Sequence, residues 1–124
     1  MSHPAVSAVL SPLILAGDVA TCGIVDLEVL FSARSHADFV RTRALRDLAF
    51  AKIAMEQSNF DRAIEVMEVL ARHGKHRAVA LPDLLIAAVA ERAHLCILHY
   101  DEDFDRIAAV TGQRVQWVVP RGSV

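Results

Sequence analysis

The stretch LPDLLIAAVAERAHLCILHYDEDF, residues 81–104, predicts a helix, then a buried strand, then two closely spaced acidic residues. Pro82 is suited to the first turn of a helix, and the alanines that follow it favour helix formation. The apolar run His94–His99 predicts a strand buried inside a sheet. Because Asp101 and Asp103 follow this strand almost at once, the stretch is typical of an α/β protein with acidic side chains at a strand end.

The rest of the chain alternates in the same way between helical and strand-like segments. We predict helices at residues 4–16, 24–33, 36–50, 58–72 and 101–110 and strands at 19–22 and 115–119, with one more strand around Ile53 as an option. The helix at 58–72 is expected to be capped by Ser58 and to end at His73-Gly74. This alternation predicts an α/β fold with a mostly parallel sheet, in which functional sites collect at the carboxyl ends of the strands.

Length and composition limit what the chain can be. It has 124 residues, so we expect residues 1–124 to form a single domain. Apolar residues make up 54% of the sequence, which predicts a substantial core or a buried interface. The net charge of −2 gives no indication of a nucleic-acid-binding surface, so a function on nucleic acid must rest on a local site.

Neither the cysteines nor the apolar N-terminal segment matches a zinc-binding or a targeting pattern. Cys22 and Cys96 lie in short apolar runs outside any zinc-binding pattern, so we expect two buried free thiols, as in a cytoplasmic protein. Residues 4–16 lack the basic flank of a signal peptide and are shorter than the roughly 20 residues of a membrane span. We interpret them as an amphipathic or buried helix.

Four acidic residues stand out because each is embedded in apolar sequence: Glu28, Asp83, Asp101 and Asp103. A carboxylate among core residues is unfavourable unless it is paired or binds a metal ion. Clustered carboxylates suit Mg²⁺ or Mn²⁺, which would lower the pKa of bound water and stabilise charge on a phosphodiester. Each acid also has an ordinary structural interpretation: Glu28 as a solvated helix residue, Asp83 as a complement to the helix dipole, and Asp101 and Asp103 as caps of the next helix.

Three segments resemble the acidic motifs of one enzyme family. Cys22–Leu30 contains Glu28, Leu81–Ala88 contains Asp83, and Leu98–Ala108 contains Asp101 and Asp103. From Asp18 onward, the order of these segments resembles the PIN-domain ribonucleases, and within them the VapC toxins of type II toxin–antitoxin systems.

The resemblance implies a three-layer α/β/α sandwich with a short, mostly parallel sheet. It also implies a Mg²⁺- or Mn²⁺-dependent endoribonuclease that acts on structured RNA such as tRNA. The implied catalytic and metal-binding residues are Glu28, Asp83, Asp101 and Asp103. The implied partners are a VapB-like antitoxin and a second copy of the chain.

One family feature is not found in this sequence. Members open with a strand that ends in a hydrophobic-hydrophobic-Asp-x-Ser-Ala motif, and nothing similar occurs before Asp18. We expect this strand, with the first catalytic aspartate, to be encoded upstream of Met1; the alternative is a short protein that has lost a ligand. In the truncated form we expect low stability and little nuclease activity, since a central strand is buried on both faces. The alternative function is a PIN-like module that binds antitoxin or RNA without cleaving it.

Two further surfaces have alternative interpretations. Arg72, Lys75 and Arg77, with His76 between them, form a basic cluster before Asp83 that could bind RNA phosphates, although it could equally be a solvated loop. The two helices within residues 36–70 have broad apolar faces. Those faces could bind an antitoxin or a second copy of the chain, or they could be core.

Overall fold

The structure is a computed structural model that describes residues 3–124, so our expectations about Met1 lie outside the described residues. The chain divides into two compact units. The first unit ends at Ala54, and the second unit spans Met55–Val124. A single domain over residues 1–124 stays a prediction.

The first unit contains three helices and one pair of parallel strands. Its elements are α1 (Pro4–Leu15), β1 (Ala20–Cys22), α2 (Gly23–Phe31), α3 (His36–Ala49) and β2 (Ala51–Ile53). Strand β2 corresponds to the strand that the sequence allowed, but did not require, around Ile53. It pairs with β1 so that Ala20 lies opposite Ala51 and Cys22 opposite Ile53.

A half-buried ion pair ties α3 of this unit to α2 and β1. The Arg46 guanidinium donates to Asp26 Oδ1 at 2.9 Å and to Thr21 Oγ1 at 3.1 Å. Both charged side chains are only 16% exposed, so removing one partner would leave the other charge poorly solvated. The pair therefore fixes α3 against the strand and the helix that precede it.

Very little of the first unit is buried. Thr21 and Cys22 are its buried residues within the described part of the chain. Several large apolar side chains on α1, α2 and α3 are well exposed, namely Leu15, Leu27, Phe31, Val40, Leu45 and Leu48. For α3, the interpretation of the apolar face as core is therefore wrong.

The second unit holds the hydrophobic core. Its elements are α4 (Gln57–Arg72), α5 (Leu81–Arg92), β3 (Ile97–His99), α6 (Glu102–Thr111) and β4 (Val115–Trp117). The core is formed by the inner faces of the three helices and by β3, with the buried residues Ala63, Val66, Leu70, Val79, Leu84, Ala87, Ala88, Ile97, Phe104 and Ile107. For α4, then, the core interpretation is correct over most of one face.

The strands of the second unit are parallel as well. Ile97 lies opposite Val115, and His99 lies opposite Trp117. The predicted α/β class with parallel strands is thus confirmed as a helix-rich chain with two short parallel pairs, β1–β2 and β3–β4. Because β3 ends at His99 and α6 begins at Glu102, Asp101 lies at the carboxyl end of its strand, as the sequence predicted.

Some local predictions were wrong. Helix α4 begins at Gln57, and Asn59, rather than Ser58, provides the capping contact: its Oδ1 accepts the Glu56 N–H at 2.7 Å. Strand β3 starts only at Ile97, because His94 has a positive φ of 56°. Cys96, just before the strand, is exposed, so only Cys22 of the two free thiols is buried.

The C-terminal end of α4 was predicted correctly. Gly74 has a φ of +69°, and the Lys75 N–H returns to the Leu70 carbonyl at 2.8 Å, which ends the helix where the sequence placed its end. Within residues 3–124, the structure contains no helix that is both long enough and apolar enough to cross a membrane.

The contact at the start of α4 gives a stability prediction. Asn59 is 1% exposed and satisfies the Glu56 amide, so Asn59→Ala is expected to lower the free energy of unfolding by about 1–2 kcal/mol. The matched control Ser58→Ala changes an exposed side chain and should alter it by less than about 0.5 kcal/mol. Urea unfolding of the full natural chain measures both values, and a larger effect for Ser58→Ala would contradict the assignment.

Candidate metal centre

Asp83, Asp101 and Asp103 come together at one end of the second unit, each placed by the start of a helix. Asp83 is in the first turn of α5, which begins with Leu81-Pro82. Asp101 is the N-cap of α6, and Asp103 is in the first turn of that helix. The positive ends of two helix dipoles therefore lie at the three carboxylates, where they favour negative charge.

The spacing of the carboxylates suits one divalent cation. An oxygen atom from each of the three side chains lies within 4.8 Å of the other two. Oxygen ligands of a single Mg²⁺ are about 2.0–2.1 Å from the ion and hence at most about 4.2 Å apart. Small side-chain rotations would bring three oxygens to that spacing, and a set made only of oxygen donors is what Mg²⁺ or Mn²⁺ requires.

Hydrogen bonds already fix two of the three carboxylates. Asp101 Oδ1 accepts the Asp103 N–H at 2.9 Å, so the capping function expected as the alternative does occur. Asp103 Oδ2 accepts the N–H of Ala80, the N-cap residue of α5, at 3.1 Å. Asp103 thereby connects the start of α5 with the start of α6 and holds Asp83 close to the other two acids.

Arginines beside the cluster partly balance its charge. Arg106 donates to Asp103 Oδ1 at 3.0 Å and to Glu102 Oε1 at 2.8 Å. The hydrogen bond from Arg106 holds the pKa of Glu102 below its ordinary value, and the same bond raises the pKa of Arg106. Arg121 also contacts Glu102. These roles were not predicted; the only sequence signal for them is that Arg106 lies one helical turn after Asp103.

His99 supports the cluster from the core side. Its ring is buried against Phe104 and Trp117, with ring centroids 5.2 and 4.8 Å away. Its Nδ1 accepts the Asp101 N–H at 3.1 Å. Burial lowers the pKa of the imidazole, so the ring is neutral near pH 7. In the sequence His99 looked like one of several scattered histidines.

Glu28, the fourth predicted ligand, belongs to the first unit. It lies in the middle of α2, where its side chain is exposed. Its participation in the centre stays a prediction. The neighbouring acid on the same helix, Asp26, pairs with Arg46 and contributes to the structure of the first unit.

The predicted RNA-binding residues surround the loop that leads into α5. Arg72 is in the last turn of α4, Lys75 and Arg77 follow it, and all three are exposed. Arg77 is three residues before Ala80, so it lies within about 11 Å of the residue that binds Asp103.

Comparison with known proteins identifies relatives along nearly the whole chain. The family model of the PIN domain matches residues 3–110. Ribonuclease VapC21 of Mycobacterium tuberculosis is 46% identical over 120 residues, which cover 97% of this chain and 87% of that protein. Ribonuclease VapC51 of the same species is 45% identical over 124 residues, covering 100% of this chain and 89% of that protein.

A third relative extends the same picture. Ribonuclease VapC18, also of Mycobacterium tuberculosis, is 40% identical over 111 residues, or 88% of this chain and 80% of that protein. The match to the PIN model and the identities of 40–46% agree with the parallel α/β units and the cluster of three aspartates. The chain belongs to the PIN-domain family and, within it, to the VapC ribonucleases.

Proposed function

We propose that this protein is the toxin of a VapBC-type toxin–antitoxin pair and acts as a Mg²⁺- or Mn²⁺-dependent endoribonuclease. The observation that carries the proposal is the meeting of Asp83, Asp101 and Asp103 within 4.8 Å at the starts of two helices. The names of the relatives support ribonuclease chemistry in the same family.

The proposed chemistry is hydrolysis of an RNA phosphodiester bond. A divalent cation held by the aspartates would supply a more acidic water and would stabilise negative charge on the scissile phosphate. Asp83, Asp101 and Asp103 bind and orient this cation, and Glu28 is proposed as a further acidic ligand from α2. The starts of α5 and α6 place the positive ends of two helix dipoles beside these aspartates.

Arg72, Lys75 and Arg77 are proposed to bind the RNA backbone. Their side chains are exposed and close in sequence to the N-terminus of α5, which carries Asp83. Basic side chains at this place would attract the phosphates toward the carboxylate cluster, which would otherwise repel them. They also explain how a chain with a net charge of −2 can bind RNA through a local surface.

The proposed partners follow from the family and from the exposed apolar surface. A VapB-like antitoxin and a second copy of the chain would both find apolar side chains on α2 and α3, such as Phe31 at 92% exposure and Leu48 at 88%. We propose a cytoplasmic homodimer that is inhibited by its antitoxin, with structured RNA such as tRNA as the substrate and one domain spanning residues 1–124.

One observation favours the alternative of a non-cleaving module. Both oxygens of Asp103 are already occupied, Oδ1 by Arg106 and Oδ2 by the Ala80 amide. A carboxylate used in this way is satisfied without a metal ion. The proposed nuclease therefore requires that Asp103 binds a cation through a second lone pair or that Arg106 moves away.

A substitution at Asp83 tests the metal centre. Asp83→Asn keeps the size of the side chain but removes a negative charge, so Mn²⁺ binding should weaken at least tenfold and RNA cleavage should fall by about 100-fold or more. Asp61→Asn is the matched control, since Asp61 is an exposed acid on α4 that lies outside the cluster. Titration calorimetry with Mn²⁺ and a cleavage assay on bulk tRNA, both on the full natural chain, give the two values.

The outcomes separate the two proposed functions. Mn²⁺ binding and cleavage that are lost together in Asp83→Asn and retained in Asp61→Asn support the nuclease. RNA or antitoxin binding by a wild-type chain that neither binds Mn²⁺ nor cleaves RNA would instead establish the non-cleaving module.

The basic residues give a separate prediction about RNA affinity. The double variant Lys75→Gln/Arg77→Gln should reduce the slope of log affinity against log salt by about 1.4–1.8, the value expected for two lost phosphate contacts. Arg114→Gln is the matched control, because Arg114 is exposed and precedes β4, at the end of the β3–β4 pair away from Asp101. Fluorescence anisotropy with labelled tRNA in EDTA measures binding without cleavage, and equal slopes for the two variants would exclude this role for the loop.

A further inference from the structure

The environment of His99 differs from that of an ordinary core residue. Its side chain is 2% exposed, and its Nε2 is a buried polar atom without a hydrogen-bond partner among the described residues. Asp105 Oδ1 is 3.8 Å from Nε2, beyond hydrogen-bond distance, and the other oxygen of Asp105 accepts the Trp117 Nε1–H at 3.0 Å. An apolar side chain at this position would avoid leaving a buried N–H unpaired.

The other ring nitrogen makes a specific contact that an apolar residue could not make. Nδ1 accepts the backbone N–H of Asp101 at 3.1 Å. An acceptor at Nδ1 carries no proton, so the proton of the neutral ring is on Nε2, the atom that has no partner. One ring nitrogen is therefore buried without a hydrogen-bond partner, which is unfavourable. The other nitrogen holds the backbone of Asp101 by a hydrogen bond.

Asp101 is the member of the cluster that most needs such a contact. It is exposed and lies two positions after His99, the last residue of β3, so it is outside the paired strand. Its carboxylate is held through Oδ1 by the Asp103 N–H, and its own N–H is held by His99. These two hydrogen bonds together fix both the backbone and the side chain of Asp101.

A continuous series of contacts links the core to the carboxylates. The His99 ring packs against Phe104 and Trp117, and its Nδ1 accepts the Asp101 N–H. The Asp101 carboxylate accepts the Asp103 N–H, and the Asp103 carboxylate accepts the Ala80 N–H. Ligating groups need to be held to within about 0.5 Å for effective binding, and such precision comes from partners that are themselves packed.

We propose that His99 is a positioning residue of the metal centre, which sets the place of the Asp101 carboxylate through the hydrogen bond from the Asp101 amide to Nδ1. This proposal rests on the metal binding proposed above. It assigns no contact between His99 and the cation or the RNA.

Two variants of the same shape separate positioning from packing. Asn and Leu both replace the ring by a branched side chain, but only Asn offers an acceptor at the place of Nδ1. Both variants lose the contacts with Phe104 and Trp117 and should lower the melting temperature. Asn also buries its amide N–H groups, so its loss should be at least as large as that of Leu. His99→Leu should weaken Mn²⁺ binding roughly tenfold, whereas His99→Asn should stay within about threefold of the wild type.

Titration calorimetry with Mn²⁺ on the full natural chain, together with thermal unfolding, tests this expectation. Equal losses of affinity in His99→Leu and His99→Asn would overturn the proposal, because affinity would then follow packing. Wild-type affinity in both variants would overturn it as well. A wild-type chain that fails to bind Mn²⁺ would instead refute the metal centre. The positioning role of His99 would then be refuted too, because it depends on that centre.

A measurement on the metal-free wild type tests the hydrogen bond itself and needs no variant that must fold. Long-range ¹H–¹⁵N NMR spectra should show the His99 proton on Nε2, and the Asp101 amide should be protected from hydrogen exchange. A proton on Nδ1, or a rapidly exchanging Asp101 amide, would overturn the proposal whatever the metal affinity.

Discussion

The hydrogen bond from the Ala80 amide to the Asp103 carboxylate is the contact on which the candidate centre depends. It joins the first residue before α5 to the first turn of α6, two elements that are 23 positions apart in sequence. Helix α5, which carries Asp83, packs against the core through Leu84 and Ala87, both of which are buried. With this hydrogen bond, the acid of one helix is held beside the two acids of the other. The same carboxylate thus has a structural function and a proposed chemical one.

Three carboxylates at this spacing repel one another, so the structure must offset that repulsion. Two helix N-termini and Arg106 supply positive charge at the cluster, and Asp101 remains solvent-exposed. This compensation of negative charge is incomplete, because Arg106 also pairs with Glu102. Glu102 in turn contacts Arg121. A divalent cation would complete it, and its binding energy would then add to the stability of the second unit by mass action. Metal binding and folding of this unit are therefore expected to be linked.

The sequence predicted the elements that local rules determine and missed those that depend on tertiary contacts. Pro82 at the start of α5 and the apolar run before Asp101 were sufficient to place the three aspartates at helix starts near a strand end. Asn59 was missed as the capping residue because Ser58, with Asp61 three residues later, matches the capping pattern just as well, and only tertiary burial distinguishes Asn59. His99 was missed because nothing local distinguishes a histidine that holds an amide from one that lies on the surface. The shorter β3 follows from the positive φ of His94, which propensity could not anticipate.

Burial differs between the two units, and this difference bears on how the protein is regulated. Helices α4, α5 and α6 each bury several side chains, whereas α1, α2 and α3 have no buried residue. Helices gain most of their stability from packing an apolar face, and the polar contacts of the first unit include the Arg46–Asp26 pair and the Lys52–Asp47 pair. A partner that covers Leu27, Phe31 or Leu48 would stabilise this unit in proportion to its affinity. Glu28 is on the same helix as Leu27 and Phe31. A partner that covers this helix would therefore also hold the proposed metal ligand Glu28 in place.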